Sequence, residues 1–187
     1  MTHGFLHPKA VTNDAEEGQM IVIIDADYNE EIGKAHIAGI VAETIFDEKE
    51  KMVVTAISDE IGEYIPGQFY KRELKSVELI IAQLEVSQIE LIVVDGYADF
   101  GTDKLALGAY VFEKYRIPVI GIGKNKYEGC KVPETEVYRG DSKKPLYVTC
   151  KGIPLAEAKE MVEKMAGEYR LPYLVKYADS KARDWTL

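Results

Sequence analysis

Two apolar runs in this chain end in carboxylates. In IVIIDADYNE, residues 21–30, four aliphatic side chains give way to Asp25 and then Asp27. In ELIVVD, residues 90–95, a second run ends at Asp95. An aspartate at the tip of a buried strand has three uses. It can end the strand in a turn, which suits Asp95-Gly96 directly. It can act as an aspartyl nucleophile in phosphoryl transfer. It can also share a metal ion with a second carboxylate. Mg²⁺ is a hard cation that takes oxygen ligands, usually one or two carboxylates with waters and phosphate oxygens. Two such ions about 4 Å apart activate a water and stabilise the leaving oxygen when a phosphodiester is hydrolysed.

The elements that must position these aspartates follow from hydrophobic pattern. Residues 19–28 read as a strand buried on both faces, because the apolar run is nearly continuous. Residues 34–45 and 51–57 are β-branched and read as antiparallel partners, with Asp47-Glu48-Lys49-Glu50 turning between them. Residues 69–86 have helical spacing, with Leu74, Val77, Ile80, Ile81 and Leu84 on one face. Strand 90–95, helix 104–115 and strand 118–122 follow. Short strands are expected at 136–139 and 146–150, and helices at 154–169 and 172–183. Three meandering strands followed by alternating helix and strand predict an α/β, ribonuclease H-like mixed sheet: three antiparallel strands, then parallel strands, with helices on both faces. In such a sheet, functional groups collect at the carboxyl ends of the strands. If the strands ending at Asp25 and Asp95 are parallel neighbours, their carboxylates converge.

The chain has 187 residues, 47% of them hydrophobic, which is enough for one domain with a real core. We expect residues 1–18 to form a flexible tail and 19–187 a single domain. No apolar run approaches the roughly 20 residues that span a bilayer, and the first 19 residues carry no apolar signal segment. No membrane role is expected. Cys130 and Cys150 lack metal-type spacing, so two free thiols in the cytoplasm are expected. The net charge of −9 argues against holding nucleic acid by bulk charge. It is compatible with carboxylates that hold metal ions which then meet phosphate. Positive residues gather locally at Lys71, Arg72 and Lys75, at Lys124, Lys126 and Lys131, and at Lys143 and Lys144.

The nucleophile reading has a specific form. IIDADYN resembles the strand-end DxD of haloacid-dehalogenase-type phosphatases. That pattern wants a hydroxylated residue where Asn29 stands, and a later GDxxxD loop. Gly140-Asp141 is followed by Ser-Lys-Lys-Pro, so the last aspartate is missing.

Several segments together, in the same order, resemble the endonuclease V family. Asp25-Ala26-Asp27-Tyr28 is similar to its first-strand DxxY, and Tyr64-Ile65-Pro66-Gly67 to its YIPG wedge. Lys71-Arg72-Glu73 is similar to its FRE, Val94-Asp95-Gly96 to its VDG, and 118–124 (PVIGIGK) to its PTIGVAK. Pro145-Leu146-Tyr147-Val148 is similar to its PxxV strand, Tyr169-Arg170-Leu171-Pro172 to its YRLP, and Ala178-Asp179 to a position holding Asp or His. The likeness runs from about 25 to 179. It implies a Mg²⁺-dependent endonuclease, with Mn²⁺ able to substitute. Such an enzyme acts in DNA repair or RNA processing and cuts DNA or RNA near a deaminated base such as inosine, on its 3′ side. It also implies site residues. Asp25, Asp95, Glu73 and Asp179 would serve the metal, and Lys124 the phosphate. Tyr64, Ile65, Pro66, Gly67, Arg72, Gly96 and Tyr97 would bind the substrate. An apolar wedge would part stacked bases and help to extrude one of them.

The chain departs from the family in three respects: a loop histidine is missing, Ala98 stands at the second glycine whose backbone helps line the family's base pocket, and the amino-terminal helical segment of typical members is expected to be absent or shortened. After VDG the family continues H-G-x-x-H-P-R, whereas here Tyr97-Ala98-Asp99-Phe100-Gly101-Thr102-Asp103 follows. The second histidine falls on Gly101, and Asp99 and Asp103 are the acidic residues near it. A diverged, non-cleaving reader of nucleic acid structure is therefore the rival expectation. Each residue also has a plain structural use. Tyr64 to Gly67 suit a type II turn, Glu73 suits the start of a helix, and Lys124 and Asp179 suit the surface. Tyr97 and Phe100 can stack on a base or simply fill their loop. The GIGK stretch hints at a nucleotide loop, but no third glycine and no GK[ST] follow.

Overall fold

The computed structural model describes residues 18–59 and 70–186. The expected tail up to Glu17 and the Tyr64-Ile65-Pro66-Gly67 segment lie outside these residues. Three strands open the fold: β1 (Met20–Asn29), β2 (Lys34–Ala42) and β3 (Met52–Ser58). β1 pairs antiparallel with β2, and β2 with β3. Helix α1 (Tyr70–Ile81) then crosses over to β4 (Ile89–Asp95), which lies parallel to β1. Helix α2 (Leu107–Tyr115) crosses to β5 (Val119–Gly123), parallel to β4. β6 (Glu136–Val137) and β7 (Leu146–Lys151) follow, with β7 antiparallel to β5 and β6 antiparallel to β7. Helices α3 (Leu155–Lys164) and α4 (Tyr173–Ala182) complete the order. The seven strands run β3-β2-β1-β4-β5-β7-β6. This is the expected ribonuclease H-like arrangement, with the far edge returning antiparallel.

The unbroken apolar run of β1 is explained by its two buried faces. Val22 and Ile24 point to one side, where α1 and α2 cover the sheet with Val77, Ile80, Ile81 and Val111. Ile21 and Ile23 point to the other side, where α3 and α4 supply Ala158, Val162, Leu174 and Ala178. Each such aliphatic side chain contributes roughly 1.5–3 kcal/mol on full burial. A strand sandwiched in this way cannot alternate polar with apolar residues. Only its C-terminal tip, where the covering helices end, is free to carry carboxylates.

Three helices are shorter than the pattern suggests, and α1 ends at Ile81 rather than 86. α2 begins at Leu107 rather than 104, because Ala106 is extended and the Lys104 N–H is spent on Thr102 Oγ1 at 3.3 Å. α3 ends at Lys164 rather than 169. Gly167 takes φ +103°, a conformation that glycine adopts without steric cost. The carbonyls released there turn to the Arg139 guanidinium, which donates to Glu163, Met165, Gly167, Tyr169 and Arg170. Arg139 is itself buried.

Candidate active site

The register of the parallel pair brings the two aspartates together. Ile24 lies beside Val94, so Asp25 and Asp95 leave adjacent strands at the same level. Lys124 follows directly on β5, whose Ile122 lies beside Asp95. Its ammonium reaches Asp95 Oδ2 at 3.1 Å and Asp25 Oδ2 at 3.7 Å. It also reaches Asp179 Oδ1 at 3.2 Å. Asp179 arrives from the other end of the chain because α4 packs across β1 and β2. His36 on β2 donates through Nδ1 to the Ala182 carbonyl at 2.9 Å, and Trp185 donates through Nε1 to Asp27 Oδ2 at 2.8 Å. Four sequence-expected residues thus meet at one point.

Glu73 comes from the opposite side, on the first turn of α1. A cavity of about 210 Å³ is lined by Asp25, Glu73, Asp95, Tyr28 and Ser76 among others. Burial pushes the Glu73 carboxyl up to about 8, with repulsion from Asp95 and then Asp25 adding to it and Arg72 opposing. Burial likewise raises Asp25 to about 7, with Asp95 adding to it and Lys124 opposing. The backbone N–H of Ala26 satisfies Asp25 Oδ1 at 2.8 Å, but buried Oδ2 accepts no hydrogen bond. Burial alone would lower Lys124, yet the carboxylates of Asp95 and Asp25 outweigh it and the net change is upward. Asp179 shifts down. Burial opposes this, but hydrogen bonds from Arg183 and Lys124 prevail.

Among the described residues, no three His, Cys, Asp or Glu side chains are arranged to hold a metal ion as they stand. The ammonium of Lys124 occupies the point where the carboxylates converge. The donors suit a hard divalent cation even so. All are carboxylate oxygens, one of them is buried without a hydrogen bond, and burial together with their mutual repulsion raises two of them.

The expected substrate-binding residues divide. Gly96 follows Asp95 at φ +102° and borders a second cavity of about 370 Å³ that includes Glu73, Tyr97 and Phe100. The hydroxyl of Tyr97 donates to the Asn125 carbonyl at 2.9 Å and accepts from the Tyr127 N–H at 3.0 Å. Arg72 points inward. It is buried, paired with Glu30 Oε1 at 2.8 Å and packed over the Tyr28 ring at 4.6 Å. Tyr64, Ile65, Pro66 and Gly67 lie outside the described residues.

The loop after Asp95 also accounts for its departure from H-G-x-x-H. Gly101 sits at φ +64°, and a Cβ there would stand 2.9 Å from the Val132 backbone nitrogen. A histidine does not fit this backbone. Asp99 does not take its place, since Oδ2 pairs with Lys151 at 2.8 Å and Oδ1 accepts from the Gly101 N–H at 2.9 Å. Asp103 is exposed.

Two further side chains hold parts of this cluster in place. Arg183 grips Asp179 through Nε to Oδ2 and Nη2 to Oδ1, both at 3.2 Å. Its position four residues along the same helix was the available signal. Arg170, in the YRLP stretch, donates to the carbonyls of Lys124 and Pro145 and so fixes the backbone that carries Lys124.

A sequence model of a family described as Endonuclease V matches residues 6–180. No curated protein matches the sequence. Among solved structures, Endonuclease V from Streptomyces avermitilis is 23% identical with a TM-score of 0.70, over 89% of this chain and 81% of that one. Ciona intestinalis Endonuclease V, in complex with a 24mer DNA containing an inosine followed by a ribo-adenosine, is 16% identical with a TM-score of 0.74, over 90% and 86%. Endonuclease V from Bacillus subtilis is 21% identical with a TM-score of 0.69, over 88% and 78%. At these identities, the likeness to the solved structures shows the shared fold.

Proposed function

Because the chain belongs to the Endonuclease V family, a family of metal-dependent nucleases, we propose that it is a Mg²⁺-dependent endonuclease. Its reaction is hydrolysis of a phosphodiester bond in DNA or RNA near a deaminated base such as inosine. The observation that carries this reading is the convergence of Asp25, Asp95 and Asp179 on one ammonium, with Asp25 Oδ2 buried and without a hydrogen bond.

In this reading, Asp25 and Asp95 hold the metal, and Glu73 and Asp179 complete its surroundings. When bound, the metal lowers the pKa of a water and stabilises the leaving oxygen. The chain's own residues do the rest. Glu73, raised to about 8 chiefly by burial, holds its proton at neutral pH. Lys124 would supply the cation that neutralises charge building on the scissile phosphate. Arg183 keeps Asp179 ionised and oriented. The aliphatic floor of Ile24, Val77 and Val94 excludes bulk water and strengthens each of these interactions. Attack by water on phosphorus forms one P–O bond and breaks another, leaving a hydroxyl end and a phosphate end. Gly96 and Tyr97 border the space for the base, and Tyr64 to Gly67 part the strand. Cys130 and Cys150 are free thiols, which supports a reducing setting such as the cytoplasm.

The test is incubation with labelled inosine-containing DNA and RNA, with Mg²⁺, with Mn²⁺ and with chelator. Metal-dependent cuts near inosine are expected. Absence of cutting on every substrate overturns the reading. A second reading, a reader that binds without cutting, draws on Gly101, whose backbone has no room for a histidine. A gel shift without cleavage supports that alternative.

A further inference from the structure

Beside the site lies a larger cleft that the proposed chemistry does not use. It measures about 570 Å³ and is bounded by the 126–138 segment and by Lys159 of α3. Four tyrosines, Tyr97, Tyr127, Tyr138 and Tyr147, and the cations Lys126 and Lys159 line it. Tyr138 stands with more than half of its surface exposed.

The cleft adjoins the segment that carries Lys124 through Tyr97. That ring lies directly on Gly123, the residue before Lys124; a Cβ there would stand 2.8 Å from the ring edge. The two hydrogen bonds of the Tyr97 hydroxyl tie the loop after Asp95 to the segment after Lys124. The Tyr97 and Tyr127 rings meet edge-on, with centroids 6.0 Å apart. Both rings also line the cavity that Glu73 borders. They therefore form a wall with one cavity on each side, next to the point where Asp25, Asp95 and Lys124 converge.

We propose that the tyrosine-lined cleft is a second nucleotide subsite. It takes an unpaired base of the same strand, on the far side of the Tyr97–Tyr127 wall from the base held near Glu73. This rests on the nuclease reading above. The chemistry of the cleft suits a single-stranded nucleotide. Unpaired bases stack on aromatic faces and offer their edges for hydrogen bonding. Glu134, and Glu136 beyond the bond it accepts from the Tyr138 hydroxyl at 3.2 Å, offer acceptors to base N–H groups, while Lys126, and Lys159 beyond its bond to the Glu134 carbonyl, meet the backbone. The two carboxylates make a bare phosphate a poorer occupant than a base. A volume near 570 Å³ is within the range of small-ligand sites.

The experiment is binding of labelled single-stranded oligonucleotides by fluorescence anisotropy, in chelator and at one fixed salt concentration, so that cutting plays no part. One probe is intact; the others carry an abasic position at each place in turn. Stacking on one ring makes Tyr138→Ala weaken the intact probe by about 5- to 100-fold. Tyr138→Phe keeps wild-type affinity. With an abasic residue at one particular position, wild type and Tyr138→Ala bind equally. The subsite is overturned if Tyr138→Ala binds the intact probe like wild type. It is also overturned if the loss is the same for every abasic position. If wild type cuts inosine substrates but shows either result, the subsite fails and the nuclease reading stands. If wild type neither cuts nor binds single strands, both fall.

Discussion

Asp25 and Glu73 make the metal-free protein sensitive to pH in a direction opposite to ordinary ion-paired carboxylates. Folding raises Asp25 from 3.8 to about 7 and Glu73 from 4.5 to about 8. A raised acid keeps its proton in the folded chain where the unfolded chain has already lost it. The stability it contributes is full below the unfolded value and is lost as pH rises through the folded one, here between about pH 4 and 8. At about 1.4 kcal/mol per pKa unit, ionising Asp25 costs on the order of 4 kcal/mol by pH 8. Asp25→Asn removes that titration. In chelator at pH 8, it should therefore be more stable than wild type by a few kcal/mol, or roughly 10 °C in Tm for a chain of this size. At pH 5 the gap should shrink to less than about 2 kcal/mol, because the unfolded carboxyl is already largely ionised there. Urea unfolding at both pH values reads the effect. Adding Mg²⁺ at about 100 times its Kd should return about 2.7 kcal/mol to wild type and nothing to the variant. If wild type and Asp25→Asn change in parallel with pH and respond alike to Mg²⁺, Asp25 is not the buried, cation-seeking carboxylate argued for here.

Other expectations follow from the same geometry. Lys124→Met leaves three carboxylates facing one another, so it should cost about 3–5 kcal/mol in chelator and less in Mg²⁺, as unfolding curves would show. Arg183→Gln removes one of the two cations on Asp179 and should slow cleavage about tenfold with unchanged Tm; equal rates in a single-turnover assay would count against its positioning role. Tyr64→Ala should lower duplex cleavage far more than single-strand cleavage, because a wedge repays its cost only where stacking must be broken; equal reductions would make the segment a turn. Arg139→Leu strips five carbonyls of their donor and should destabilise by more than about 3 kcal/mol, measured by denaturant midpoint.

What could be read in advance was whatever the chain repeats locally. The doubly buried β1 and β4 announced themselves as unbroken apolar runs, and the switch to Asp25 and Asp95 marked where the covering helices stop. The α1 face of Val77, Ile80 and Ile81 followed from 3.6-residue spacing. Features that depend on backbone acceptors were not legible. The partners of Arg139 are carbonyls, which carry no residue identity, so neither its burial nor the early end of α3 could be foreseen from the arginine. Trp185 and Asp27 pair opposite ends of the chain, with no local pattern to announce it. The absence of a histidine at Gly101 was visible at once. Its cause, a left-handed backbone pressed on Val132, required coordinates.

Of the three aspartates that meet at Lys124, Asp25 comes from β1 and Asp179 from α4, the first and the last of the described elements. Synthesis runs at about 5–20 residues per second, so roughly 8 to 30 s separate the making of Asp25 from that of Asp179. During that interval the growing chain carries Asp25, then Asp95 and Lys124, without the helix that completes the cluster. The closing step is the docking of α4 on β1 and β2, fastened by the Ala182–His36 and Trp185–Asp27 bonds. Bringing such distant segments together is entropically the most expensive contact the chain makes, and one of the slowest to form. A chain still being synthesised therefore lacks the complete carboxylate cluster around Lys124 until α4 is in place.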